Sequence, residues 1–220
     1  MLELKDVTKI YYTKNKAVQT IALKNVNLTI GKGEFVAVTG DSGSGKTTLL
    51  NMLGAVDTPT SGRVLFQGKD LSLLSSDKRA EHRNKYTGFV FQRFYLDPNL
   101  TVSENVALPL TIQGVAAAER KKRVIELLDE YRLSDKADVF PDELSGGQMQ
   151  RVALCRALVN NPLYILADEP TGNLDSKLGS YIIEKFRAIA DKGITVVMVT
   201  HNAVHTALCD RTVVIKDGEV

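Results

Sequence analysis

Apolar and polar positions alternate in the first third of the chain, which predicts β-strands. The stretches from Leu2 to Val7 and from Val26 to Ile30 have this pattern, and a further short strand is expected at 64–66. Residues 35–39 instead form a continuous apolar run, which is typical of a strand buried on both faces. A glycine-rich loop follows this run, and residues 47–53 then have helical character. The order strand, glycine loop, helix predicts the start of an α/β nucleotide-binding fold.

Helical spacing replaces the alternation in the middle of the chain, at about residues 100–160. The clearest helix is predicted at residues 116–132. Its apolar positions are Val124, Leu127, Leu128 and Tyr131. Beyond this stretch the pattern predicts a strand at 163–167, a helix at 177–190 and a strand at 195–200.

This order of elements predicts an α/β protein whose mostly parallel core sheet is interrupted by a helical insertion. The β-rich start of the chain predicts an additional antiparallel part at the N-terminus. No flexible linker separates these parts, so residues 1–220 are expected to form a single domain made of subdomains.

Composition and charge narrow the classes of function. Of 220 residues, 44% are hydrophobic and 25% are charged, as in ordinary globular proteins. The net charge of +2 argues against a dedicated nucleic-acid binder, and no apolar stretch is long enough to span a membrane. The N-terminus has no signal-peptide core. Two cysteines, Cys155 and Cys209, are too few for a disulfide framework, and both are expected to be reduced in a cytosolic protein.

A phosphate-binding loop is predicted at residues 40–47, which fit the pattern G-x-x-x-x-G-K-[ST]. Glycines let successive backbone N–H groups converge on phosphate oxygens, and the helix that follows favours anions at its N-terminus. Lys46 would add a positive charge, and the Thr47 hydroxyl suits Mg²⁺. The alternative is a Gly/Ser turn with a surface lysine. The loop alone does not distinguish a GTPase, a kinase and an ATPase. The candidate nucleotide-binding residues are Gly40, Ser42, Gly43, Ser44, Gly45, Lys46, Thr47 and Thr48.

A pair of carboxylates, Asp168 and Glu169, follows the apolar run 164–167. Ligands of open parallel sheets bind at the carboxyl ends of strands, so this pair is expected beside the phosphate loop. Asp168 would hold Mg²⁺ directly or through water, and Glu169 is the candidate general base for an attacking water. The alternative is a solvated acidic pair at a strand end.

The segment 144–148, Leu-Ser-Gly-Gly-Gln, lies between these two motifs. With all three motifs in this order, the chain resembles the nucleotide-binding subunit of an ABC transporter over essentially its whole length. Residues 89–92, 100–106 and 167–176 look most like the macrolide-exporter, lipoprotein-releasing and cell-division branch. The resemblance implies a P-loop NTPase core made of 1–92 and 156–220, with a helical subdomain at 93–155.

The resemblance also implies roles for single residues around the nucleotide. Tyr11 matches the aromatic residue that stacks on adenine, with Tyr12 as the neighbouring candidate and a plain strand tyrosine as the alternative. Gln92 matches the glutamine that reaches Mg²⁺ and the attacking water. His201 matches the histidine that contacts the γ-phosphate and orients the water.

A second set of residues implies a head-to-tail dimer that holds two ATP molecules between its subunits. The signature residues act on the ATP of the partner subunit. They are Leu144, Ser145, Gly146, Gly147 and Gln148. Asp175 matches the loop that crosses the dimer interface.

The implied partner is an integral membrane permease on a separate chain, with the ATPase peripheral on the cytoplasmic face of the membrane. The exposed segment Phe94, Tyr95 and Leu96 is where the permease is expected to dock, unless these side chains belong to the core. Export or extraction of peptide, drug or lipid-like cargo is the expected role. The alternatives are a force-transmitting signalling complex of the cell-division type and a soluble ABC ATPase of DNA repair or translation.

Some residues fall outside these motifs. His201 and His205 have the spacing of a zinc pair on a helix, but Asn202 stands where the metalloprotease pattern needs glutamate, so zinc is not expected. His82 is predicted at the surface. Residues 120–123, all basic, are predicted to form a solvated helix face, with an anionic-lipid contact as the alternative. Asp41 adds a negative charge near the expected anion site.

Overall fold

The architecture comes from a computed structural model that describes residues 1–12 and 19–220. Its first sheet is antiparallel, with the strand order β2-β1-β4-β5. These strands are β1 (Leu2–Tyr12), β2 (Gln19–Ile30), β4 (Ser61–Phe66) and β5 (Lys69–Asp70). Leu2 pairs with Ile30 on one side and with Phe66 on the other, and all three side chains are buried. The predicted antiparallel part at the N-terminus is confirmed.

The second sheet is parallel and has the strand order β6-β7-β8-β3-β9. Its strands are β3 (Phe35–Thr39), β6 (Thr87–Phe91), β7 (Tyr164–Asp168), β8 (Thr195–Val199) and β9 (Arg211–Val214). Every residue of β8 is buried, as the apolar runs in the sequence predict for a sheet covered on both faces. The carboxyl ends of β6, β7, β8 and β3 therefore lie side by side, at one edge of the sheet.

Seven α-helices are described. They are α1 (Lys46–Leu53), α2 (Ser76–Tyr86), α3 (Val102–Ile112), α4 (Ala117–Glu130), α5 (Gly146–Leu158), α6 (Ser176–Asp191) and α7 (Ala203–Thr206). The predicted helices at 47–53, 116–132 and 177–190 agree with α1, α4 and α6 to within two residues at each end. The α/β fold with a helical insertion is confirmed.

The helical insertion packs α3, α4 and α5 around a shared apolar cluster. Val124, Leu127 and Leu128 of α4 are buried in it, and Tyr131 follows them in the same cluster, as their spacing predicts. A capping box starts α3, because the Thr101 hydroxyl accepts from the backbone N–H of Glu104 while the Glu104 carboxylate accepts from the backbone N–H of Thr101.

The surface position predicted for His82 is wrong. The side chain is 7% exposed, and its Nε2 lies 2.9 Å from the Tyr164 hydroxyl. Its ring also packs against Phe66 and Tyr86. Helix α2 is strongly polar, so the sequence pattern does not show that one histidine faces the sheet.

The basic stretch on α4 is partly solvated. Lys121 and Lys122 are exposed, whereas Arg120 and Arg123 are half-buried. Arg120 donates to the backbone oxygen of Val115, and Arg123 donates to the side chain of Asn161 at 2.7 Å. Two of the four charges therefore hold neighbouring chain segments in place.

Neither cysteine forms a disulfide; Cys155 is buried and Cys209 is half-buried. Among the described residues, no group of three or more His, Cys, Asp or Glu side chains is placed to hold a metal ion. Within that same part of the chain, no helix has the length and apolar character that crossing a membrane requires.

Candidate nucleotide site

The phosphate loop connects β3 to α1 and has backbone angles that suit glycine. Gly40 has φ +150° and Gly45 has φ +110°. A side chain at Gly40 would strike the backbone oxygen of Ile215, and one at Gly45 would strike that of Ala22. The loop thus lies against β2 and against the residue that follows β9, neither of which belongs to the motif.

Lys46 is buried, and its ammonium group donates to the backbone oxygens of Gly40 at 2.8 Å and Asp41 at 2.7 Å. The Ser44 hydroxyl is buried and has no hydrogen-bond partner among the described residues. A cation held by neutral carbonyl oxygens and an unpartnered hydroxyl in the same loop suit a polyphosphate, whose oxygens accept from both.

Thr47 and Asp168 meet at the centre of the site. The Thr47 hydroxyl donates to the Asp168 carboxylate over 3.1 Å, which joins the start of α1 to the end of β7. A hydroxyl and a carboxylate are hard oxygen ligands of the kind that Mg²⁺ prefers beside phosphates. The donor set therefore fits the ion expected from the sequence.

Glu169 follows Asp168 in a left-handed conformation, with φ +47°. This backbone turn is held because the Glu169 N–H donates to the Val199 oxygen at 3.1 Å. The side chain is placed against His201, with 3.2 Å between Glu169 Oε1 and His201 Nε2. Burial raises the pKa of the Glu169 carboxyl, although nearby His201 acts to lower it. A raised pKa makes a carboxylate a better proton acceptor.

One open cleft of about 400 Å³ brings most of the predicted nucleotide residues together. Those that line it are Tyr11, Ser42, Gly43, Gly45, Lys46, Thr47, Thr48, Asp168, Glu169 and His201. Sequence reasoning missed Thr20, Ala22 and Val199, which also line the cleft. These three residues carry no motif, and only strand pairing brings them to the site.

Tyr11 lies at the rim of the cleft, at the end of β1. Its hydroxyl donates to Asp57 at 3.0 Å, and its side chain is half-exposed. Tyr12 is more exposed and is not among the residues that line the cleft. Tyr11 is therefore better placed than Tyr12 to contact a base.

Gln92 follows β6 but does not line the cleft in this structure. Its side-chain amide donates to Asn173 Oδ1 at 3.4 Å, and the Asn173 amide donates back to the Gln92 backbone oxygen at 2.9 Å. Gln92 is thus tied to the segment that follows Glu169, beside the site and not inside it.

The signature residues lie at the start of α5, away from the cleft. The Ser145 hydroxyl accepts from the Gln148 N–H, and the Gln148 side chain accepts from the Ser145 N–H at 2.8 Å. This capping box leaves Ser145 exposed and Gly146 half-exposed, while Leu144 and Gly147 are buried. None of the signature residues lines the cleft that holds the phosphate loop.

Asp175 caps α6, where its carboxylate accepts from the Leu178 N–H at 2.9 Å. The side chain is exposed, and it does not line the cleft that holds the phosphate loop. Asp175 lines a second cleft of about 390 Å³, which also borders Glu169 and His201.

A family model described as ABC transporter matches residues 23–172, which is more than half of the chain. The chain belongs to the ABC transporter family. This cassette is 48% identical over 220 residues to an uncharacterized ABC transporter ATP-binding protein of Methanocaldococcus jannaschii, covering 100% of this chain and 97% of that protein. It is also 45% identical over 220 residues to the macrolide export ATP-binding/permease protein MacB of Brucella melitensis, with 100% of this chain matched to 34% of that protein.

Solved structures of ABC cassettes have the same fold. One is a dimeric post-hydrolysis state of an ATP-binding cassette bound to ADP and Pi, with TM-score 0.92 and 45% identity, covering 100% of this chain and 96% of that one. Another is a dimeric bacterial ABC transporter cassette, with TM-score 0.92 and 46% identity over the same shares of the two chains. The family identification made from the motifs is confirmed, and the cassette is an ATPase.

Proposed function

We propose that this cassette is the motor subunit of an ABC transporter and drives a separate membrane permease. The observation that carries the proposal is the pairing of Glu169 with His201 in the cleft that also holds Lys46, Thr47 and Asp168. That cleft combines an anion site with a general base. The MacB relative, whose name describes macrolide export, supports export or extraction of drug, peptide or lipid-like cargo.

Hydrolysis at this site follows from the chain's own groups. Lys46 and the backbone of the phosphate loop hold the phosphates, and Tyr11 packs against the base. Glu169 accepts the proton of the attacking water, while His201, 3.2 Å from the Glu169 carboxylate, contacts the γ-phosphate and orients the water. Thr47 and Asp168 are placed to hold Mg²⁺, which offsets negative charge on the phosphates when it is bound, and Gln92 would reach the ion after moving into the cleft.

The separation of the signature from the cleft supports a head-to-tail dimer. Ser145 and Gly146 sit exposed or half-exposed at the N-terminus of α5, where backbone N–H groups favour an anion. In a dimer this helix start would face the phosphates of the ATP that the partner subunit holds, and Asp175 would cross the interface. The dimeric cassette structures of the same fold support this arrangement.

Permease binding is proposed at the segment after Gln92. Tyr95 is 64% exposed, and Arg156 near the end of α5 donates to the backbone oxygen of Phe94 at 2.8 Å. An apolar groove of about 440 Å³ lies beside this segment and is lined in part by Phe91 and Leu108. Arg156 lies in α5, and Ser145 caps the start of the same helix. Movement of the docking segment would therefore shift the signature.

In this proposal the helical subdomain, residues 93–155, moves relative to the core formed by 1–92 and 156–220. The proposed site of action is the cytoplasmic face of the cell membrane, where the permease would hold the cassette.

The test is a pull-down from native membranes with tagged Glu169→Gln in the presence of Mg-ATP. The variant should bind ATP without turnover and hold the closed dimer on its permease. Tagged Lys46→Ala is the matched control, because it lacks the phosphate-binding charge. Recovery of an integral membrane protein with Glu169→Gln supports the proposal, and its membrane architecture would separate a transport path from a force-transmitting lever. Recovery of soluble protein or nucleic acid without a permease would overturn the transporter assignment.

A further inference from the structure

Two histidines, His201 in the loop after β8 and His205 in α7, contact the segment that follows β7. His201 contacts Glu169, and four residues later the His205 ring contacts Thr171, with 3.3 Å between His205 Nδ1 and Thr171 Oγ1. His201 is exposed, whereas His205 is 7% exposed. The two histidines, which have zinc-like spacing in the sequence, thus contact the segment 169–171 at two points.

The hydrogen bonds around His205 agree with one tautomer of the neutral imidazole ring. Asn202 Oδ1 accepts from the Val204 N–H, so the Asn202 amide nitrogen faces His205 Nε2 at 3.3 Å and donates to it. His205 Nδ1 then carries the proton and donates to the Thr171 hydroxyl. Burial lowers the pKa of His205, which favours the neutral form that this pattern needs.

The ring also contacts α6, the helix that Asp175 caps. A side-chain carbon at Gly179 would lie 3.7 Å from His205 Cε1, an ordinary van der Waals distance, so the ring lies beside this part of the helix. The cleft of about 390 Å³ between the two loops is lined by Thr171, Asp175, His201 and His205. The two histidine contacts lie at this cleft, in addition to the backbone hydrogen bond that Glu169 donates to Val199.

We propose that His205 is a positioning residue for ATP hydrolysis, which ties the segment between Glu169 and Asp175 to the loop that carries His201. The inference rests on the proposed function, in which Asp175 reaches the partner subunit and His201 orients the attacking water beside Glu169. Through His205, a displacement of Asp175 on dimer closure reaches both residues beside the attacking water. The base is then placed correctly only when the partner is in contact.

The first test measures steady-state ATP hydrolysis by His205→Ala. Displacing the base by a fraction of an ångström should lower kcat about tenfold, while KM for ATP stays within about twofold, because His205 does not line the nucleotide cleft. His205→Asn places an amide N–H near the position of Nδ1 and should recover most of the lost kcat. Thr171→Val removes the same hydrogen bond from its other end and should match His205→Ala.

The double variant tests whether the two side chains act through one contact. Thr171→Val combined with His205→Ala should lower kcat no further than either change alone, since both remove the same tether. His82→Ala is the matched control: it removes another buried histidine, far from the cleft, and should lower the melting temperature while kcat stays unchanged.

A kcat of His205→Ala within twofold of the unmodified cassette would overturn the inference, as would fully additive losses in the double variant. Dimer formation by Glu169→Gln with ATP, measured by light scattering, separates this failure from that of the proposed function. If Glu169→Gln forms the ATP-dependent dimer and His205→Ala keeps its kcat, the positioning role alone is wrong. If no such dimer forms, the proposed function and this inference fail together.

Discussion

Lys46 illustrates how one residue prepares the site for its ligand. Its buried ammonium group donates to two carbonyl oxygens of its own loop, Gly40 and Asp41. Charged phosphate oxygens are stronger acceptors than neutral carbonyls, so a nucleotide can displace these bonds without leaving the cation unsatisfied. Ser44, whose buried hydroxyl has no partner in the described part of the chain, gains a hydrogen bond in the same event.

Lys46→Ala should therefore weaken ATP binding by more than about 100-fold, because two charge-assisted hydrogen bonds to phosphate are lost. Calorimetric titration with a non-hydrolysable ATP analogue measures the change. Lys121→Ala, which removes an exposed lysine on α4, is the matched control and should bind as the unmodified cassette does. An unchanged affinity in Lys46→Ala would contradict the assignment of the phosphate loop.

At the scale of elements, helix α2 is anchored to the sheet through His82. The Tyr164 hydroxyl at the start of β7 donates to the Leu53 oxygen at the end of α1, and His82 Nε2 contacts the same hydroxyl. Three elements that are distant in the chain thus meet at one polar contact inside an aromatic cluster. Burial lowers the pKa of His82 to about 4.

This pKa shift makes stability depend on pH in a defined window. The unfolded chain protonates His82 near pH 6.5 and the folded chain only near pH 4, so the unfolded state binds more protons between these values. The contribution of neutral His82 to the free energy of unfolding should be fully present above pH 6.5. The free energy of unfolding should then fall by up to about 3 kcal/mol as the pH drops to 4.

His82→Phe keeps a ring in the cluster and removes the titrating group, so its stability should change less over the same range. Chemical denaturation at several pH values compares the two proteins. An identical slope in both would show that His82 does not cause the pH dependence.

At the scale of the whole molecule, one chain does not bring its own signature to its nucleotide cleft. The phosphate loop, Asp168 and Glu169 line one cleft, and Ser145 at the start of α5 is not part of it. Under the proposed function, the missing contact comes from a second copy.

The rate of ATP hydrolysis should therefore rise faster than linearly with protein concentration, because monomers lack the signature contact. A dilution series across the range in which light scattering detects dimer formation measures this. Mixing two inactive variants, Lys46→Ala and Ser145→Arg, should restore activity, since one of the two sites in the mixed dimer is intact. A rate strictly proportional to concentration across that range would argue against action in trans.

Much of the site could be predicted from short motifs because their chemistry is local. The segments 40–47 and 168–169 combine the residue types, the backbone freedom and the strand context that phosphate and magnesium need. The alternation and the apolar runs likewise predict β2, β3 and β8, because burial on one or both faces imposes those patterns. The surface prediction for His82 failed because α2 has no apolar stripe to reveal which face is buried.

The sequence by itself thus determined which chemistry the chain carries and in what order its strands and helices occur. Tertiary structure decided which residues meet: Ala22 beside the phosphate loop, Gln92 beside Asn173, and His205 on Thr171. The physical reason is that a motif specifies local geometry, whereas contacts between distant residues depend on strand order. The parallel order β6-β7-β8-β3 aligns four carboxyl ends at one edge, and this alignment assembles the site.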